Sequence, residues 1–340
     1  MLNWVTCEGD KFLPSASLQK TSNVLKQIFH SISKFPLALQ TRKEKKTIIN
    51  LLGKDSIVLM DLGAAGGIEP RWKKIASAIS YFGFEPDARA QQVIPNTSFT
   101  HYELLPFAAG KMNSIRNLYV TKDKGKSSMY LPNYEFLERF PEVNRFDTIN
   151  EIELEINSID DIFSKQIDFI KLDIQGSELD ALEGADKSLR NVLGVEVEVE
   201  FMHLYAGQPL FGSVHKFLED RGFEFVDFIN LCRWERDSLT GLGQLVFADA
   251  LFLKAPETVM KMNLPETHFK KYLSILYIYN RFDLIEKCFS QHPNLKNSLA
   301  SFYRLQKNRR KRLILINKLN RLVSAFYSLL GIEFRSHVIY

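Results

Sequence analysis

The chain has 340 residues, 45% of them hydrophobic and 25% charged, the balance of a folded globule with one principal domain and appendages rather than of a disordered or fibrous chain. Cys7, Cys232 and Cys288 are odd in number, far apart and in no C-x-x-C pair, which argues against a disulfide framework or a zinc site and for a reducing, cytoplasmic compartment. The formal charge of +4 is uneven: ten Lys/Arg and no Asp/Glu lie between Lys287 and Ile332, so the remainder carries −6 and a nucleic-acid role for the whole chain has little support.

Asn3, Glu8 and Asp10 interrupt any leader-like apolar core, and no stretch offers the roughly 20 apolar residues of a membrane span. Residues 1–52 read as a helical extension, with Ser17 or Ser22 capping a helix that carries Leu18, Val24, Leu25, Ile28 and Phe29. Arg42-Lys43-Glu44-Lys45-Lys46 reads as a solvated helix face. The apolar run Ile57–Met60 then predicts a strand buried on both faces, closing at Asp61. Glycines follow at 63, 66 and 67, and Pro70 suits a first helical turn, so a helix is expected from Glu69-Pro70 over Arg71–Ser80. A strand, a glycine turn and a helix in that order form a ligand crevice at the carboxyl edge of an open α/β sheet. Gly63 and Gly66 let the backbone turn tightly and lie close to a bound group.

The dinucleotide fingerprint needs a second glycine where this chain has Ala65, and the P-loop lysine is absent. A ligand with adenosine but no phosphates, such as S-adenosylmethionine, needs neither. Asp61 suits its cationic side. A ribose-binding carboxylate is expected at the end of the second strand, and Glu85 follows Tyr81–Phe84 there, with Pro86 beside it. A helix is expected near Asp87–Val93. The next strand lies within Ser98–Ala108 and ends at Phe107-Ala108-Ala109-Gly110, whose small residues, Ala108 among them, are placed to border an adenine ring.

Residues 111–157 break the alternation of strands and helices. Leu118–Val120 and Ile152–Ile156 read as an antiparallel excursion around the polar loop Lys124–Met129, with a roof over the crevice and a plain surface loop as open alternatives. A short helix over Ser158–Phe163 is expected to be capped by Ser158. Alternation resumes with a strand in Ile167–Gly176 ending at Asp173, and a helix opening at Gln175-Gly176-Ser177-Glu178. In Val192–Phe201 the side chains alternate, so Glu196, Glu198 and Glu200 share one face of an interior strand, which is costly unless they are solvated, paired or used. A helix near Gln208–Arg221 stops at Gly222, and Phe223–Ile229 and Leu245–Leu253 read as a final antiparallel pair. Beyond Pro256 the pattern is helical: a hairpin built on Tyr272, Ile275, Leu276, Tyr279, Leu284, Ile285 and Phe289, then a basic helix with Leu315, Leu319, Leu322, Phe326 and Leu329 at heptad-like spacing. That helix is open to packing within the chain, to dimer formation, or to contact with an anionic membrane or acidic partner through 304–330.

The blocks D-L-G-A-A-G-G (61–67), F-E-P-D (84–87), I-K-L-D-I-Q-G-S-E-L-D-A-L-E-G-A (170–185), V-E-V-E-F (197–201) with L-Y-A-G-Q-P-L-F (204–211), and A-D-A-L-F-L (248–253) resemble the FkbM-type methyltransferases. The likeness spans roughly 53–255, between the helical extension 1–52 and the basic helical region 256–340. It implies a class I methyltransferase (Rossmann-like) fold, an α/β architecture with a mostly parallel seven-stranded sheet and helices on both faces. It also implies S-adenosylmethionine as donor and a hydroxyl acceptor on a sugar, glycoconjugate or secondary metabolite. By position, Asp61, Gly63 and Gly66 would meet the methionine portion, Glu85 the ribose and Asp173 the catalytic end; Ala64 in the glycine turn, Pro86 beside Glu85 and Ala108 at the strand end join the expected cofactor-binding set from their places in the chain.

An alcohol must lose a proton as it is methylated, and a positioned base contributes about 10²–10⁴-fold. Asp173, Glu200 and His203 stand at the carboxyl edge as candidates, His203 because it titrates near neutrality. Glu198 lies deeper and suits support of the site. A divalent ion shared by Asp173 and Glu200 is a further arrangement, with only two oxygen ligands in sight, so no metal is assigned. A non-catalytic scaffold working through the basic tail is the alternative of another class.

Overall fold

The computed structural model describes residues 42–91, 99–237, 243–262 and 264–329. The expected helix with Ser17 or Ser22 at its cap lies outside the described residues. The chain folds as a seven-stranded sheet between two layers of helices, with a three-stranded sheet inserted at one edge. Strands β1 (Ile57–Leu62), β2 (Ile79–Phe84) and β3 (His101–Leu105) run parallel, and β4 (Ala108–Ala109), β5 (Ser114–Thr121) and β6 (Thr148–Asn157) form the inserted sheet. Then come β7 (Phe169–Leu172), β8 (Gly194–Glu200), β9 (Phe223–Trp234) and β10 (Gln244–Lys254). The main sheet has the order β3-β2-β1-β7-β8-β10-β9, parallel except for β10, which is antiparallel to both neighbours. Strand order reverses between β1 and β7, where an open α/β sheet makes its crevice.

Period-two alternation gives the sheet two different faces. On one, Met60, Leu62, Ile170, Leu172, Val195, Val197 and Val199 pack on the helices Glu178–Glu183 and Phe211–Glu219. On the other, Leu59, Tyr81 and Phe169 share a core with the helix over 42–52, Trp72 and the C-terminal hairpin Glu266–Ile278 and Phe282–Gln291. The charged residues Asp61, Lys171 and Glu196 interrupt that second face in one row, because Asp61 is in register with Lys171 and Lys171 with Glu196. The helix over 42–52 exposes Arg42, Lys43, Lys45 and Lys46 to solvent as expected and buries Glu44.

Several expectations are corrected. The helix over Arg71–Ser80 is one turn, Pro70–Lys73, followed by a 3-10 turn at Ala76–Ala78. Ile79 is fully buried in register with Ile57, so β2 begins two residues early and ends the helix. At Asp87 there is no helix over 87–91, because the Asp87 carboxylate accepts from both the backbone N–H (2.9 Å) and the guanidinium of Arg89 and closes a tight turn; residues 92 and 93 lie outside the described ones. Ser158 stands at the N-cap of Ile159–Ile162, yet its hydroxyl donates to Gly184 O (2.8 Å) instead of capping. Ala108 leaves the main sheet: β3 stops at Leu105, and Ala108 pairs with Ile156 in the inserted sheet. The antiparallel excursion is present as β5 and β6, and β9 runs past Ile229 to Trp234.

Candidate active site at the carboxyl edge of the sheet

Backbone hydrogen bonds draw three strand ends together. Gly63 N–H donates to Phe84 O and Asp173 N–H to Leu62 O, both at 2.9 Å. Gly63 has φ 82°, and a Cβ there would stand 1.9 Å from Asp173 O. The close approach that demands this glycine is therefore made by the chain's own backbone at the strand crossover, not by a ligand as its position in the turn suggests.

Asp61 is buried. Its Oδ2 accepts from Tyr81 O–H at 2.8 Å, while Oδ1 has no hydrogen-bond partner and lies 3.6 Å from Lys171 Nζ. Burial pushes its carboxyl up, and Lys171 and Tyr81 oppose that shift. Lys171 Nζ also lies 4.0 Å from Asp173 Oδ2, and these acids hold the lysine charged despite burial. Glu85 is buried just past β2, accepts from Asp87 N–H at 2.9 Å, and is pushed up to about 7, mainly by burial and further by repulsion from Asp87, Asp173 and Asp61. Asp61 and Asp173 flank the one lysine, and Glu85 follows Phe84, whose carbonyl accepts from Gly63 N–H. Asp173 is 38% exposed and so within reach of a ligand.

Gln175 organises the other half of the site. It adopts φ 54°, followed by Gly176 at φ 100°. Its Nε2 donates to Asp173 Oδ1 and Glu198 Oε1, each at 2.8 Å. Its Oε1 lies 3.0 Å from Tyr205 Oη and 3.3 Å from Lys126 Nζ, and its backbone carbonyl accepts from Ser128 Oγ at 2.6 Å. Lys126 and Ser128 come from the inserted loop, which thus closes over the end of β7 as a roof. Glu178 fixes the same turn by accepting from Ile174 N–H (2.8 Å) and Gly176 N–H (2.9 Å).

The three glutamates of β8 meet different fates. Glu196 is bound by Arg71 (3.3 Å) and by the Tyr279 hydroxyl. Glu198 takes the Gln175 amide. Glu200 is buried with Oε1 unpartnered among the described residues. Burial first, then repulsion by neighbouring acids, pushes Glu198 and Glu200 well above the usual carboxylate range. His203 is exposed in the bend after β8; its carbonyl accepts from Asn133 Nδ2, and its ring has no hydrogen-bond partner among the described residues. Lys171, Tyr81, Lys126 and Tyr205 were missed by motif reasoning. Lys171 alone left a signal: a cation two residues before Asp173 in a buried strand must share its face.

Residues 65–225 match the family model described as the methyltransferase FkbM domain. Over this segment the chain resembles the FkbM methyltransferases. The 2-O-methyltransferase NoeI of Sinorhizobium fredii is 24% identical over 220 residues, 59% of this chain and 86% of that protein. Among solved structures, the methyltransferase FkbM from Methylobacillus flagellatus KT is 17% identical with a TM-score of 0.36; the match covers 58% of this chain and 44% of that one. The magnesium protoporphyrin IX methyltransferase of Synechocystis PCC 6803, solved with bound SAM, is 9% identical with a TM-score of 0.27, covering 63% and 79% of the two chains. An FkbM methyltransferase draws its methyl group from S-adenosylmethionine. The residues present suit that ligand: Asp61 and Asp173 share the single ammonium of Lys171, which leaves room for a further cation at the partly exposed Asp173, and Glu85 can accept from ribose hydroxyls.

Proposed function

We propose that this FkbM-like domain catalyses O-methylation of a hydroxyl on a saccharide, glycoconjugate or related small molecule. The observation that carries the reading is that the strand ends bearing Asp61, Glu85 and Asp173 are tied together by backbone hydrogen bonds, with Lys171 between Asp61 and Asp173, at the point where strand order reverses. Asp61, with Gly63, Ala64 and Gly66 in the turn below it, would hold the methionine portion of S-adenosylmethionine, and Glu85 with Pro86 the ribose. The donor supplies a methyl group already activated on a sulfonium. The likeness to a 2-O-methyltransferase supports oxygen as the acceptor atom.

The protein's own tasks are orientation and proton removal. Asp173 is the proposed base. It combines partial exposure at the crevice with a carboxylate fixed by the Gln175 amide. It would take the acceptor proton as the methyl carbon passes from sulfur to oxygen, the step at which an alcohol becomes acidic enough to give up its proton. The C–S bond breaks as the C–O bond forms, and the neutral thioether leaves. Glu198 acts through Gln175 and positions Asp173. Lys126 and Ser128 of the inserted loop brace the same residue from above.

Isothermal titration with S-adenosylhomocysteine tests the donor half: saturable binding that Glu85→Ala abolishes is expected, and no binding to the intact protein overturns the proposal. Incubation with labelled donor and a panel of glycans, followed by mass spectrometry, tests the acceptor half. A gain of label on nitrogen alone would overturn O-methylation.

A further inference from the structure

The helix Ala300–Leu329 begins inside the protein and leaves it. Phe302 and Leu305 are buried, Gln306 Nε2 donates to Glu286 at 2.6 Å, and Arg309 pairs with Glu44 at 2.9 Å. Past that point Leu313 still packs against the core, and the described side chains on the opposite side of the helix face solvent. Arg310, Lys311 and Arg312 are exposed with no carboxylate within ion-pair distance among the described residues. Immediately beyond them, Ile314 is 47% exposed, Leu315 57%, Ile316 40% and Leu322 67%. The helix holds eight Lys/Arg and no Asp/Glu.

We infer that the outer part of this helix is a docking surface for an anionic lipid membrane, lying in the interface with its aliphatic residues among the headgroups and its basic cluster against acidic lipid. Two observations favour this occupant over a second copy of the chain. At 3.6 residues per turn, Ile314 and Ile316 lie about 100° to either side of Leu315. A heptad seam through Leu315 and Leu322 is narrower than that and leaves both isoleucines in water, whereas a bilayer interface receives a face of that width. Charge decides in the same direction, because pairing two copies brings two sets of Arg310, Lys311 and Arg312 together with no acidic residue on either helix to offset them. Anionic headgroups offset them directly, at about 1 kcal/mol per Lys/Arg near the surface. No described helix is long and apolar enough to cross a membrane, so the contact is peripheral. The docked first turns set the helix at a fixed place on the catalytic fold.

Co-sedimentation of the full chain with vesicles tests the inference. Partition into phosphatidylcholine vesicles containing about a third phosphatidylglycerol should exceed partition into pure phosphatidylcholine by at least about tenfold, as expected for several basic residues acting together. High salt should erase most of the difference. The charge variant R310Q/K311Q/R312Q and the apolar variant L315N/L322N should each lower binding to the acidic vesicles by about tenfold. Both change exposed residues, so thermal melting should match the parent. Equal binding to both vesicle types, or no binding to either, overturns the inference. So does sedimentation equilibrium showing a dimer that L315N/L322N dissociates, without vesicle binding, which reassigns the surface to self-association. The test does not depend on methyl transfer, so its failure and that of the proposed function are separable.

Discussion

Gln175 donates one amide N–H to Asp173 and the other to Glu198, so a single neutral side chain bridges an exposed carboxylate and a buried one. Burial pushes the Glu198 carboxyl well above the usual carboxylate range, while Asp173 stays open to solvent. Two carboxyls in different surroundings thus share one support. Gln175→Leu keeps the volume and removes the bridge. It should lower kcat about tenfold or more with little change in S-adenosylhomocysteine affinity. Leaving the Glu198 oxygen unpaired should also cost about 1–3 kcal/mol of stability, read from urea unfolding. A fall in cofactor affinity with kcat unchanged would move Gln175 out of the positioning role.

Asp173→Ala should lower kcat by about 10²–10⁴-fold, the range for a lost general base, while titration with S-adenosylhomocysteine changes little. His203→Ala should change kcat less than about threefold, because a base needs a partner to orient it and the exposed His203 ring has none among the described residues. Were His203→Ala the more damaging of the two, the roles would be reversed.

Glu85 gives a pH signature. Its folded-state carboxyl is raised to about 7 from 4.5, so between those values the folded protein binds the extra proton. Stability then falls as pH rises through that window. Glu85→Gln should flatten this dependence in thermal melts of the ligand-free protein. Ligand binding runs the other way, since ribose hydroxyls are best accepted by the ionised form. S-adenosylhomocysteine affinity should therefore rise from pH 6 to pH 8 in the parent, and lose that rise in Glu85→Gln.

The apolar run of β1, its glycine turn and the acids closing three strands were legible because each is a local pattern with a period or a spacing. Parallel strands leave a continuous buried run, and the glutamates of β8 advertise their common face. The partners of those glutamates were not legible. Arg71 and Tyr279 reach Glu196 from 125 and 83 residues away, and no local pattern encodes such a pairing. Ala108-Ala109 is too short a strand to show a period, so its transfer to the inserted sheet left no trace. The polar loop Lys124–Met129 carries no sequence sign of being a roof, because only the folded contacts of Lys126 and Ser128 with Gln175 distinguish it from a surface loop.

Lys171 supplies the last expectation. Its ammonium stands between Asp61 and Asp173 in a row of side chains otherwise buried against the C-terminal helices. Removing one partner of a buried pair leaves an uncompensated charge, at a cost of about 3–5 kcal/mol. Lys171→Met should show that loss in urea unfolding, and the Asp61 carboxyl, already raised by burial, should then take up a proton. If so, the double variant Lys171→Met/Asp61→Asn recovers much of the stability but not the cofactor affinity, since the cationic side of the donor has lost its carboxylate. Full recovery of both would mean that Asp61 serves only to neutralise the lysine and has no part in holding the ligand.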